Sequence, residues 1–175
     1  LSLSGTLEVN PFDKLRIKIH SPQQLPRIIP QQIVKSLLQS AYDAYSPGKL
    51  TVLRDIVVLE LLFSTGLRVS ELCSLTKEQF LLNDDGLRLL VNGKGSKERI
   101  IQISTPELLR VVKIYCAEYA EDIQTQGAIL YNRNRHPLTP QSVRRIINKY
   151  LQRIHIEAHI TPHMFRHTFA TSLLE

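Results

Sequence analysis

The chain is poor in cysteine, in long apolar runs and in acidic charge, and each shortage excludes something. Two cysteines among 175 residues, Cys73 and Cys116, both set among apolar neighbours, cannot build a disulfide framework. No signal peptide opens the chain, so a reducing cytoplasm is the expected compartment. The longest apolar stretch, residues 56–63, is short and broken by Glu60, which leaves no membrane span and no membrane partner in the reading. Neither an internal repeat nor a low-complexity tract is present. Sixteen Asp and Glu stand against 22 Lys and Arg, a net charge of +6, and that deficit of acid favours an extended anionic partner such as nucleic acid.

With 43% hydrophobic and 22% charged residues, the composition is neither disordered nor fibrous, and the length suits one ordinary domain with a short appendage. The chain starts at Leu1 without Met and stops at Glu175 inside an apolar, helix-like run, so it reads as a fragment. Pro11, Pro22, Pro26 and Pro30, with polar and basic residues between them, mark residues 1–29 as an extended interdomain connector and leave 30–175 as the domain.

Within that domain, Ile33, Leu37, Leu38, Ala41 and Tyr45 recur at helical spacing after Pro30 until Ser46-Pro47-Gly48 ends the run. A second helix is expected from Thr51 to Ser64, apolar on most sides, closed by a left-handed Gly66 and followed by a short helix from Val69 to Leu75. From Gly86 the period changes to two. Leu87, Leu89 and Val91, then Arg99, Ile101 and Ile103, predict a β-hairpin with Lys94 at its tip. Thr105-Pro106 starts a helix with Leu109, Val112, Cys116 and Tyr119 on one side, and residues 128–131 suggest a weak strand. Thr139-Pro140 starts another helix, with Val143, Ile146, Ile147, Tyr150, Leu151 and Ile154 inward and Arg144, Arg145, Lys149 and Arg153 outward. Thr161-Pro162 opens a last helix. The fold class is therefore α+β and mostly helical, a helical core with a small antiparallel hairpin sheet.

Phosphodiester chemistry asks for positive donors around a phosphate whose oxygens gain charge, and for an acid that protonates the departing oxygen. Three segments offer such groups. In Thr65-Gly66-Leu67-Arg68-Val69-Ser70-Glu71-Leu72, an arginine follows a glycine turn into a helix, with Glu71 three residues on. Alone, the motif is better read as an Arg68–Glu71 surface pair at the start of an ordinary helix. In the second, Asn92-Gly93-Lys94-Gly95-Ser96-Lys97-Glu98-Arg99, glycines let a hairpin approach another surface while Lys94 and Lys97 project; the alternative is an exposed, soluble tip. The third, Thr161-Pro162-His163-Met164-Phe165-Arg166-His167, sets His163 and Arg166 on one face near a helix N-terminus, whose free amides favour a phosphate. His155, His159, His163 and His167 fall four apart and raise a metal ladder as a competitor. Pro162 breaks that register, and Met164 stands where a zinc protease needs its glutamate.

In this order, T-G-L-R-x-S-E-L, G-K-G-x-K-x-R and T-P-H-x-x-R-H-x-F-A-T resemble the tyrosine recombinases, the phage integrases and Xer-type enzymes, over most of the chain after the connector. The resemblance implies a DNA breaking-rejoining catalytic domain. It makes Arg68 and Arg166 the pair that clamps the scissile phosphate, Lys94 the general acid toward the 5′ oxygen and His163 a proton-handling or charge-stabilising group. Glu71 supports the first arginine, and His167 stands behind His163. It also implies cleavage without metal or other cofactor through a 3′-phosphotyrosine, reversed by a 5′ hydroxyl, with further protomers joining in a tetrameric synapse. The family's nucleophilic tyrosine lies downstream of the H-x-x-R helix. Tyr42, Tyr45, Tyr115, Tyr119, Tyr131 and Tyr150 all precede that helix, so the 175-residue chain is expected to hold the clamp and not to cleave DNA alone.

Double-stranded DNA is the expected partner, held by Lys97, Arg99 and the helix face of Arg144, Arg145 and Lys149; residues 133–153 contain no acid. Two other readings use the same residues: a regulatory DNA-binding module without chemistry, and a histidine-ligated metallohydrolase.

Overall fold

The computed structural model describes residues 28–93 and 98–172. They form seven helices and three strands in the order α1 (Gln31–Ala44), α2 (Leu50–Thr65), α3 (Val69–Cys73), β1 (Phe80–Leu82), β2 (Leu87–Asn92), β3 (Glu98–Ile103), α4 (Pro106–Glu118), α5 (Ala120–Gln126), α6 (Pro140–Arg153) and α7 (Pro162–Ser172). The expected α+β class, mostly helical with a small antiparallel sheet, is what forms. Apart from Ile28 and Ile29, the connector expected over 1–29 lies outside the described residues.

The centre is α2. Its apolar residues leave no polar face, so it is stable only when surrounded, and α1, α4 and α7 pack around it while α3 and α6 touch it. Val57, Val58, Leu61 and Leu62 are sealed from solvent. Burying each such side chain is worth about 1.5–3 kcal/mol. Ile29 is buried too, and its N–H donates to the Thr168 hydroxyl at 2.8 Å, which docks the start of the domain onto α7.

The sheet runs β1-β2-β3, antiparallel throughout, with Leu87 opposite both Leu82 and Ile103. Leu87, Leu89 and Val91 face the core as the period of two requires. Strand β1 was not expected from the sequence, because three residues are too few to show alternation. Of the α4 residues expected inward, Val112 and Tyr119 are buried and Leu109 and Cys116 sit at the margin, while Leu108, Val111 and Tyr115 are buried as well. The Tyr115 and Tyr119 rings stack, and Tyr119 stacks in turn on Tyr131. Residues 128–131 make two isolated bridges, Thr76 with Ala128 and Tyr131 with Pro137, and no strand. Helix α6 starts as expected, the Thr139 hydroxyl accepting from the Ser142 N–H at 3.2 Å.

One buried charge ties the bundle together. Asp55 on α2 is fully enclosed, accepting from Arg54 at 2.9 and 2.5 Å, from Lys149 at 2.8 Å and from the Tyr150 hydroxyl at 3.1 Å. Every lone pair of a buried carboxylate needs such a partner, because an unpaired one costs several kcal/mol. Among the described residues no buried side-chain nitrogen or oxygen lacks one.

Candidate functional site

The site is assembled at the turn between α2 and α3. Gly66 ends α2 with φ +59°, the left-handed conformation a side chain resists, and it leaves no room above it: a Cβ there would run into the Phe169 ring of α7. The carbonyl of the same residue accepts a hydrogen bond from Arg166 Nη1 at 2.8 Å, across a hundred residues of chain. Helix α7 is therefore fastened to the turn twice, by a ring over the glycine and by a guanidinium on its carbonyl. Arg68 follows at once, as the N-cap of α3.

Glu71 organises the cations. Its Oε2 accepts from the Arg68 backbone N–H at 2.7 Å, capping α3, and its Oε1 accepts from Arg68 Nη1 at 2.9 Å. Arg99, reaching over from β3, donates to both oxygens, at 3.3 and 2.9 Å. Burial works against the ionised carboxylate, but the hydrogen bonds from Arg99 and Arg68 outweigh it and bring Glu71 down to about 2. Burial, then the like charge of Arg68, lowers Arg166 from its ordinary value; Glu71 opposes this, and Arg99 adds to it. Arg68, Arg99 and Arg166 are thus one electrostatic cluster around one carboxylate. Arg68 keeps 53% of its side chain exposed, and among the described residues no carboxylate claims Arg166 through an ion pair, so both retain capacity for an incoming anion.

His163 and His167, one turn apart on α7 and both exposed, meet through their Nε2 atoms at 2.9 Å with rings edge to face. One Nε2 donates and the other accepts, the direction being set by the ring tautomers. His163 and Arg166 share the first turns of α7, where amides without helical partners add partial positive charge. Among the described residues no three His, Cys, Asp or Glu side chains gather as a metal site.

Of the expected site residues, the fold brings Arg68, Glu71, Arg99 and Arg166 together and pairs His163 with His167. Lys94 and Lys97 lie outside the described residues. Arg144 and Arg145 are exposed on α6, which packs against α3 and so lies beside the cluster. Lys149 differs from its fellows: its ammonium is engaged by Asp55 and sits 4.9 Å from the Tyr150 ring centroid. Reasoning from sequence missed Arg54 and Asp55, although adjacent opposite charges inside an apolar helix are a usable signal for a buried pair. Four of the six tyrosine hydroxyls are engaged elsewhere: Tyr42 on Glu60, Tyr131 on the carbonyls of Asp122 and Ala128, Tyr150 on Asp55, while that of Tyr115 accepts from the Tyr131 N–H.

Known proteins match this chain over most of its length. A model described as the phage integrase family matches residues 27–175. A tyrosine recombinase of Agathobacter rectalis is 46% identical over 171 residues, covering 95% of this chain and 55% of its own length. The tyrosine recombinase XerC of Bacillus subtilis is 34% identical over 176 residues, covering 96% and 54%. The chain spans about half the length of the curated relatives it matches. Among solved structures, the XerH site-specific recombinase bound to its palindromic difH substrate in a post-cleavage complex superposes with a TM-score of 0.72 at 21% identity, over 87% of this chain and 43% of that one, a likeness of fold.

Proposed function

The chain belongs to the phage integrase family, and from that premise we propose that it is the phosphate-activating part of a site-specific tyrosine recombinase acting on double-stranded DNA. The observation that carries the reading is the single cluster formed by Arg68 and Arg166 around the Gly66 turn. A regulatory DNA-binding module gives no reason for Arg166 to be fixed on the Gly66 carbonyl, two residues from Arg68.

In the proposed reaction, a tyrosine hydroxyl attacks the scissile phosphorus, the new O–P bond forms as the bond to the 5′ oxygen breaks, and that oxygen takes a proton. Arg68 and Arg166 fork onto the non-bridging oxygens and stabilise the charge that builds there. Lys94 supplies the proton to the leaving 5′ oxygen, and His163, steadied by His167, takes up the proton that the attacking tyrosine hydroxyl releases. A 5′ hydroxyl then attacks the 3′-phosphotyrosine and rejoins the strands. Lys97, Arg144 and Arg145 neutralise flanking phosphates, and further copies of the protein complete a tetrameric assembly on DNA in the cytoplasm.

The test is a suicide DNA substrate that traps the covalent adduct. With the protein extended to the length of its relatives, an adduct is expected, and Arg68→Ala should slow its formation by a factor on the order of 10² or more while DNA binding largely persists. Equal loss of binding and cleavage would favour the non-catalytic module. The 175-residue chain alone should give no adduct.

A further inference from the structure

We propose that Arg99 is a positioning residue that acts on Arg68 through Glu71 rather than a contact to the DNA backbone. The proposal rests on the recombinase reading above and adds to it a division of labour among three arginines.

The geometry points this way because Arg99 presents two guanidinium nitrogens to Glu71, one to each carboxylate oxygen, in the side-by-side arrangement that makes an arginine fork strong and directional. Arg68 spends only one guanidinium nitrogen there, together with its backbone N–H. Arg99 is also the less exposed of the two, 35% against 53%. A carboxylate beside a phosphate clamp is a liability, since it repels the substrate and neutralises the arginine meant to bind it. Two cations sharing Glu71 remove that liability. Arg99 balances the charge of Glu71, so Glu71 can cap α3 and aim the Arg68 side chain without cancelling it. Arg99 stands opposite Val91 in the β2–β3 ladder, so the same link fastens the sheet to α3. Without it, Glu71 would turn wholly onto Arg68 and the α3 N-terminus would lose its tie to the sheet.

The experiment uses the protein at its relatives' length, a suicide substrate for single-turnover cleavage, and duplex binding measured across a range of salt. Arg99→Ala is expected to slow cleavage at saturating DNA on the order of 10-fold to 10²-fold, the penalty of a misplaced group, with affinity and salt slope unchanged. Glu71→Gln should slow cleavage similarly, and the double variant should be no slower than the worse single one, because both break one link. Arg99→Lys, which keeps the charge but lacks the fork, should recover little. The proposal is overturned if Arg99→Ala lowers the salt slope by about one, as loss of a phosphate contact would, if Arg99→Lys restores cleavage, or if the two substitutions add. Arg68→Ala run in parallel separates the two failures: normal cleavage by that variant sinks the recombinase reading itself, whatever Arg99 does.

Discussion

Glu71 is the residue at which charge, fold and chemistry meet. Its folded carboxyl lies near 2, against an ordinary value of 4.5, so as pH falls between those values the unfolded chain binds a proton that the folded one refuses. The stability Glu71 contributes is fully present above the ordinary value and drains away as the pH drops toward about 2. Urea midpoints taken down that range should fall less steeply in Glu71→Gln than in the native chain. Gly66 makes the matching case for shape. An alanine there would adopt a left-handed backbone and displace the Phe169 ring, so Gly66→Ala should lose more than about 1 kcal/mol of stability and loosen α7, seen as a lower denaturation midpoint. Both residues were visible in the sequence because a turn glycine and an i, i+3 Arg–Glu pair are local patterns. The partnership of Glu71 with Arg99 was not, since residues 28 apart meet only once β3 is laid against the core.

At the scale of elements, α2 and α6 divide the work of core and surface, and Asp55 joins them. Removing its carboxylate strands Arg54 and Lys149, so Asp55→Ala should cost about 3–5 kcal/mol, the usual consequence of breaking a buried pair, whereas Lys149→Ala, which loses a half-exposed partner, should cost less. Chemical denaturation of the two variants checks the order. On the outer face of α6, Arg144→Ala and Arg145→Ala should each lower the salt slope of DNA binding by about one. A slope untouched by either would remove α6 from the interface. The long, strongly periodic elements α2 and α6 were legible from hydrophobic spacing alone, with the Thr139 cap giving the start of α6. Strand β1 and helix α5 were not, because three and seven residues carry too little periodicity. On α4, Val112 and Tyr119 were legible as buried, whereas Tyr115 was not, because its hydroxyl meets the Tyr131 N–H from sixteen residues away, a contact with no local pattern.

For the whole molecule, the fold's accomplishment is to bring the start of α3, the edge of β3 and the first turns of α7 to one place, and to hold them by contacts that cost the arginines little of their charge. The three sequence blocks suggested the chemistry, and the gathering of Arg68, Arg99 and Arg166 near Glu71 had to be seen in three dimensions, with Lys94 outside the described residues. If Arg68 and Arg166 serve to offset the negative charge of one phosphate, a substrate whose scissile phosphate is replaced by a neutral methylphosphonate should need them less. Single-turnover cleavage of the two substrates by the protein at its relatives' length, with Arg68→Ala and Arg166→Ala beside the native chain, measures this directly. Each variant should be slowed on the order of 10² or more on the phosphodiester and much less on the methylphosphonate. An equal deficit on both substrates would show that neither guanidinium acts on the phosphate charge.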